Sequence, residues 1–167
     1  CNLAAATGGN LSVRVPGSDL MIVKPSGITL GEAAEENLIV TDLNGALTEG
    51  RLHPTKETVL HGGLYRRYPN IGGIVHAHPI YSILCANRLD EMPLVTKQMK
   101  QIMSRPVPVC KIKTLTVTDE GMEMIFAMLD GKPDVNCFLL EEHGLVCFAA
   151  TAKEAENNAE LVEENAK

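Results

Sequence analysis

What this chain lacks narrows its function before any motif is read. It has no basic excess: 15 Lys and Arg stand against 21 Asp and Glu, a formal net charge of −6 with a pI near 5.4. Nucleic-acid binding needs a basic face for the phosphate backbone, so no nucleic-acid partner is expected. No apolar run approaches the ~18–20 residues that span a bilayer, so no membrane anchor is expected either. There is no Cys-x-x-Cys pair, and the five cysteines (Cys1, Cys85, Cys110, Cys137 and Cys147) are odd in number. That pattern argues against a disulfide framework and for a reducing, cytoplasmic location. Repeats, linkers and low-complexity stretches are missing as well. With 45% hydrophobic residues, 167 residues read as a single domain, 1–167, around one core. No signal peptide is visible. The chain opens at Cys1, in a loop leading to Gly8-Gly9-Asn10, and stops inside a helical pattern, so further residues are expected at both ends.

The elements that are present alternate between two periods. Leu11, Val13 and Val15 alternate with polar residues, Pro16-Gly17-Ser18-Asp19 turns, and Leu20 to Val23 returns as the second arm of a hairpin. Residues 38–43 and 46–48 flank Asn44-Gly45, the strongest short hairpin signal. A helix is predicted over 55–68, with Thr55 as N-cap, Glu57 in its first turn, and Leu60, Leu64 and Tyr68 on one face. A strand over 74–78 and a helix from Ile80 to about Asn87 follow. Three prolines make 92–113 hard to assign. Residues 118–129 read as a helix ended by Gly131 and Pro133, and 139–148 as a buried strand pair or one long strand broken at His143-Gly144. Thr151 and Glu154 form a capping box opening the last helix. Hairpins mixed with helices predict an α/β layered fold with a mixed sheet.

Chemistry concentrates in a few blocks. His76 and His78 lie two apart on a strand and so share a face, where two imidazoles can hold one transition metal. His143 follows a second apolar strand. Three histidines with an open fourth position suit a catalytic zinc rather than a structural one. Pro54-Thr55-Lys56-Glu57 places a hydroxyl, an ammonium and a carboxylate at a helix N-terminus, where backbone N–H groups favour anions. Gly8-Gly9-Asn10 and Lys24-Pro25-Ser26-Gly27 read as turns, or as phosphate cradles offering N–H groups with the Asn10 amide and the Ser26 hydroxyl. His61 shares a helix face with Glu57 and reads as structural. His53 is a loop residue. The methionines at 92, 99, 103, 122, 124 and 128 read as core filling.

Taken as a set, Gly8-Gly9-Asn10-Leu11-Ser12, Lys24-Pro25-Ser26-Gly27, Pro54-Thr55-Lys56-Glu57, His76-Ala77-His78 and His143-Gly144-Leu145 resemble, in order and spacing, the class II aldolase/adducin head family. The likeness is to its L-fuculose-phosphate aldolase and L-ribulose-5-phosphate 4-epimerase group and runs from Gly8 to the last helix. It implies an α/β fold of three αβα layers with a mixed, largely antiparallel central sheet, and a homotetramer with sites between subunits. It implies a divalent metal, typically Zn2+ with Mn2+ or Co2+ as substitutes, on His76, His78 and His143. It makes Glu57 the catalytic acid–base, a glutamate in the aldolases where the epimerases carry aspartate. Gly9, Asn10, Ser26, Gly27, Thr55 and Lys56 fall on phosphate-binding positions.

The expected reaction is cleavage of a phosphorylated ketose to dihydroxyacetone phosphate and an aldehyde. Three departures from the aldolase pattern stand out. Lys56 replaces a serine, as in the branch that decarboxylates 3-oxo-tetronate 4-phosphates. No tyrosine lies between Leu94 and Pro108. The family's N-terminal helix and C-terminal tail have no counterpart. Decarboxylation, 4-epimerisation and, further off, dehydration of a methylthioribulose phosphate are the alternative reactions. A non-catalytic adducin-like head is the non-enzyme alternative.

Overall fold

A computed structural model describes residues 3–167; Cys1 lies outside the described residues. Nine strands form one mixed sheet in the order β4-β3-β2-β1-β5-β9-β8-β7-β6. The first four are β1 (Asn10–Arg14), β2 (Leu20–Val23), β3 (Ile39–Asp42) and β4 (Leu47–Glu49). The others are β5 (Gly73–Ala77), β6 (Glu91–Met92), β7 (Val107–Cys110), β8 (Cys137–Leu140) and β9 (Gly144–Ala149). Every adjacent pair is antiparallel except β7 with β8. Both predicted hairpins form, and residues 137–149 are a pair of strands, not one broken strand.

Among the described residues five α-helices accompany the sheet: α1 (Thr58–Arg67), α2 (Ile80–Ala86), α3 (Met99–Ile102), α4 (Asp119–Leu129) and α5 (Ala152–Ala166). Strand alternation sorts them into two outer layers. Ser12 and Arg14 point to one face, where they bond His61 and Tyr65 of α1, and α4 packs on α1 there. The other face receives α5 along β5 and β9, with α2 and α3 against α5. The central strands β5 and β8 are therefore buried on both sides, and apart from His76 they read as apolar runs. The core is aliphatic: Ile74, Phe138, Leu139, Leu145 and Val146 in the sheet meet Leu60, Leu64, Ile125, Ala155 and Val162 from the helices. Cys85, Cys110, Cys137 and Cys147 are free thiols. No helix among the described residues is long and apolar enough to cross a membrane.

The predicted capping box at the last helix is present, with Thr151 and Glu154 each satisfying the other's backbone N–H. Helix α1 begins at Thr58, three residues later than the sequence pattern suggests, and Thr55 is not its N-cap. Thr55 instead folds back locally: its Oγ1 accepts from the Glu57 N–H at 3.3 Å. Glu57 occupies the cap position without capping.

Helix α5 also fastens distant segments. The buried Glu163 carboxylate accepts from the backbone N–H groups of Tyr81 (3.2 Å) and Ser82 (2.9 Å) and from the Ser82 hydroxyl (2.8 Å). It supplies the N-terminal cap that Pro79 cannot give α2. Asn165 does the same for 93–96, donating to the Pro93 carbonyl and accepting from Val95 and Thr96.

Candidate active site

Register places the predicted residues at one end of the sheet. Asn10 opposes His76 across β1 and β5, Ser12 opposes Val23 across β1 and β2, and Ala77 opposes Leu145 across β5 and β9. The start of β1, the ends of β2 and β5, and the start of β9 therefore coincide. The chain leaving β4 returns to the same end, so the N-terminus of α1 joins them. A cavity of about 260 Å³ opens there. Its wall holds His76, His78 and His143, with Glu57 close by in the lining. Gly9 and Asn10 enter from the first block, Ser26 and Gly27 from the second, and Thr55 and Lys56 from the third. All ten sequence-predicted residues meet in one place, though they come from five separate segments.

The three imidazoles converge on one another. His76 Nε2 lies 3.0 Å from His78 Nε2 and 3.2 Å from His143 Nε2, and the ligand atoms of all three fall within 4.8 Å of one another. His76 Nδ1–H donates to the Leu145 carbonyl at 2.9 Å. A carbonyl only accepts, so this bond fixes the tautomer and leaves the Nε2 lone pair facing the cluster. Burial lowers the pKa of all three, and for His76 the neighbouring His143 and His78 add to the effect. The rings are thus neutral near pH 7, the form that binds metal. Three converging imidazole nitrogens, each held in the neutral ring form by burial, fit a borderline-soft divalent ion such as zinc.

Backbone close approach holds the ring cluster together. A Cβ on Gly144 would sit 2.1 Å from the Ala77 carbonyl oxygen and 3.0 Å from the His78 ring, so only glycine lets the strand after His143 lie against His78. Gly9 adopts φ +72, which L side chains rarely take, and a Cβ there would stand 3.0 Å from the His76 carbonyl. His78 itself lies just past β5 and is held by a backbone bond from its N–H to the Leu3 carbonyl at 2.9 Å.

Glu57 is 5% exposed, with Oε2 accepting from the Val117 N–H at 3.4 Å. Burial raises its pKa to about 7 against the opposing pull of that bond. A carboxyl balanced between its two forms near neutrality is suited to proton transfer. Its side chain makes no cap bond to α1.

Several lining groups escaped sequence reasoning. Thr7, Leu115 and Thr116 complete the wall with Gly8 of the first glycine block, and Val117 supplies the only hydrogen bond to the Glu57 carboxylate among the described residues. The 114–117 loop carries no local signal of this role. Lys24 could have been found, since it belongs to the Lys-Pro-Ser-Gly block. It is 2% exposed and donates to the Pro25 and Ile28 carbonyls, bracing the loop that presents Ser26 and Gly27. His61 lies behind the cavity wall, fully buried and outside the three-histidine cluster.

Comparison with known proteins agrees with this geometry. The model of the family described as Class II Aldolase and Adducin N-terminal domain matches residues 2–167. L-ribulose-5-phosphate 4-epimerase UlaF from Salmonella paratyphi B is 26% identical over 99% of this chain and 75% of its own length. A solved L-fuculose 1-phosphate aldolase superposes with a TM-score of 0.84 at 31% identity, over 99% of this chain and 76% of the other. YgbL of Escherichia coli, whose name leaves aldolase, epimerase and decarboxylase open together, superposes with a TM-score of 0.84 at 27% identity, over 99% and 79% of the two chains.

Proposed function

The chain belongs to the class II aldolase and adducin family, and we propose that it is a metal-dependent aldolase cleaving a ketose 1-phosphate to dihydroxyacetone phosphate and an aldehyde. One observation carries this reading: three neutral imidazoles with converging Nε2 atoms share a cavity with a buried glutamate whose pKa is near 7. His76, His78 and His143 would hold the ion, zinc for preference and manganese or cobalt as substitutes. A divalent ion bound there supplies Lewis-acid stabilisation of the negative charge that develops on the substrate oxygens as the carbon–carbon bond breaks.

The chain's own groups do the rest. Ser26, Gly27 and Gly9 offer backbone and hydroxyl donors at the mouth of the cavity, and Thr55 and Lys56 offer theirs beside α1. Together with Asn10 they would hold the phosphate, fixing the substrate so that its reacting carbon faces Glu57. As the carbon–carbon bond breaks, the carbinol hydroxyl that becomes the aldehyde gives up its proton to solvent. Protonated Glu57 delivers its own proton to the carbon left electron-rich, and the carboxylate is reprotonated from solvent. In the synthetic direction the ionised carboxylate removes that proton. Water is limited by the burial of Glu57 and His76.

Helix α2 starts two residues after His78 and exposes Ile80 (58%), Tyr81 (43%) and Leu84 (39%). This apolar strip beside the site supports a homotetramer in which a neighbouring subunit closes the cavity. Light scattering on the purified protein reads the subunit count directly, and a monomer at working concentration would remove this part of the reading.

The second reading, decarboxylation of a 3-oxo-tetronate 4-phosphate, rests on Lys56, which is exposed at the rim. The deciding assay offers ketose 1-phosphates and 3-oxo-tetronate 4-phosphates to metal-loaded protein and follows dihydroxyacetone phosphate and CO2 separately, with and without a chelator. Chelator-sensitive dihydroxyacetone phosphate release is expected. CO2 release alone would transfer the assignment to the decarboxylase. Interconversion of pentulose phosphates without either product would make it a 4-epimerase.

A further inference from the structure

Behind the cavity runs a line of buried polar side chains that the reaction itself does not use. Ser12 Oγ lies 2.6 Å from His61 Nδ1 and 2.9 Å from the Tyr65 hydroxyl. His61 Nε2 meets Asn10 Oδ1. Ser12 and His61 have no exposed surface and Tyr65 has 1%. Of the four, only Asn10 lines the cavity.

Atom types dictate the direction of every bond. Asn10 Oδ1 can only accept, so the proton must sit on His61 Nε2. Burial holds the pKa of His61 down to about 3, so the ring is neutral and carries a single N–H. Nδ1 must then accept, and it does so from the Ser12 hydroxyl. The Ser12 oxygen accepts in turn from Tyr65, whose hydroxyl has no other partner among the described residues. The line runs one way, from Tyr65 through Ser12 and His61 to Asn10. Reversing it would leave the buried Tyr65 O–H without an acceptor, and an unmade buried bond costs more than a made one contributes. With its oxygen occupied, Asn10 keeps its amide NH2 for the cavity, and that group makes no hydrogen bond within the described residues.

We propose that His61 is a positioning residue: held as the Nε2–H tautomer by Ser12 and Tyr65, it locks Asn10 so that two amide donors, and not a carbonyl oxygen, face the substrate's phosphate. The inference rests on the reading of this cavity as a phosphate site. Its consequence is selectivity, because a flipped Asn10 would present its oxygen to the phosphate and repel it. The tautomer is thus a setting, made two residues away, of what the cavity will accept.

Nitrogen NMR of histidine-labelled, zinc-loaded full-length protein tests the first half without any mutation. His61 is expected as the neutral Nε2–H tautomer across the neutral pH range; an Nδ1–H tautomer would overturn the proposal. Titration with inorganic phosphate tests the second half. Ser12→Ala removes the donor to Nδ1 without touching the cavity. It is expected to weaken phosphate binding about tenfold, the scale of one hydrogen bond to a charged group. It should raise KM for a phosphorylated ketose more than it lowers kcat, with zinc content unchanged. Tyr65→Phe should act in the same direction more weakly, and it serves if Ser12→Ala does not fold. Wild-type phosphate binding that neither variant changes would overturn the positioning role and leave the phosphate site standing. Wild-type protein that ignores phosphate would overturn the site and this inference together.

Discussion

The two ends of the sheet differ in a way that size alone would misjudge. At the end where β1 begins and β5 finishes, a cavity of about 260 Å³ collects three histidines, a glutamate and a set of hydrogen-bond donors. At the other end, where β5 begins and β9 finishes, a larger cavity of about 410 Å³ is walled mainly by Ile71, Leu129, Val135 and Phe148. The same strands serve both: β5 carries Gly73 at one end and His76 at the other, and β9 runs from Gly144 to Ala149 beyond Phe148. The larger space is lined by Tyr68 and Lys132 but, among the described residues, by no cluster of side chains able to hold an ion. The smaller has one because strand ends, a helix N-terminus and a glycine-dependent approach of backbones coincide there. Function follows that convergence and not volume.

The sharpest break of this contrast is removal of the ion. His76→Ala or His78→Ala should abolish stoichiometric zinc, read by elemental analysis, and lower kcat by at least about 10³, the scale of losing a Lewis acid. Full zinc occupancy in either variant would sink the ligand assignment. Glu57→Gln separates the proton from the metal. It should keep its zinc and lose about 10²–10⁴ in kcat, as general acid–base residues do; undiminished turnover would take Glu57 out of the chemistry. Gly144→Ala tests whether backbone approach builds the site. Its Cβ would press on the Ala77 carbonyl, so the β5–β9 contact must spread beside His78 and His143. Zinc affinity should fall, with stability lower by about 1–3 kcal/mol, as for other overpacking changes.

Much of the site was legible because its parts are local. His-x-His reads as one strand face, Asn44-Gly45 as a hairpin, and Thr151 with Glu154 as a capping box, each from residues within a few positions of one another. What escaped was set by partners far away. The Glu57 carboxylate turns away from helix α1 to meet the N–H of Val117, sixty positions on. The proline-bearing stretch after α2 takes its shape from Asn165 in the last helix, about seventy positions away. Neither partnership has a sequence period. The three converging Nε2 atoms were legible as residues, but their spacing depends on the register between β5 and β9.

Acidity gives a smaller and reversible handle on the same end. Burial raises the Glu57 pKa to about 7, against an ordinary carboxyl value of 4.5. A raised carboxyl pKa means that the folded state holds its proton more tightly than the unfolded one. The stability it contributes is full below pH ~4.5, falls as pH rises, and is gone above pH ~7, a change of at most about 3 kcal/mol. The neutral histidines act oppositely, so the informative quantity is wild type minus Glu57→Gln. Urea unfolding of chelator-treated proteins should show that difference shifting against wild type between pH 5 and pH 8. A flat difference would mean that Glu57 is better solvated than its burial implies.

The smallest effect on catalysis belongs to the far end, and it decides what the larger cavity is for. Phe148 is 7% exposed, stacks obliquely on Phe138 at 6.3 Å between ring centroids, and forms part of the apolar wall. Phe148→Ala should cost about 3 kcal/mol of stability, since it removes buried ring contacts and enlarges an existing space. Zinc content and kcat per folded molecule should not change, because Phe148 pairs with Ile74 while His76 pairs with Val146, and the register between β5 and β9 is set by backbone bonds that the substitution keeps. Thermal unfolding and turnover measured on the same sample test both halves. A loss of kcat at full zinc occupancy would show that the two ends are coupled through the strand, and the far cavity would then be part of the enzyme's working machinery and not only of its packing.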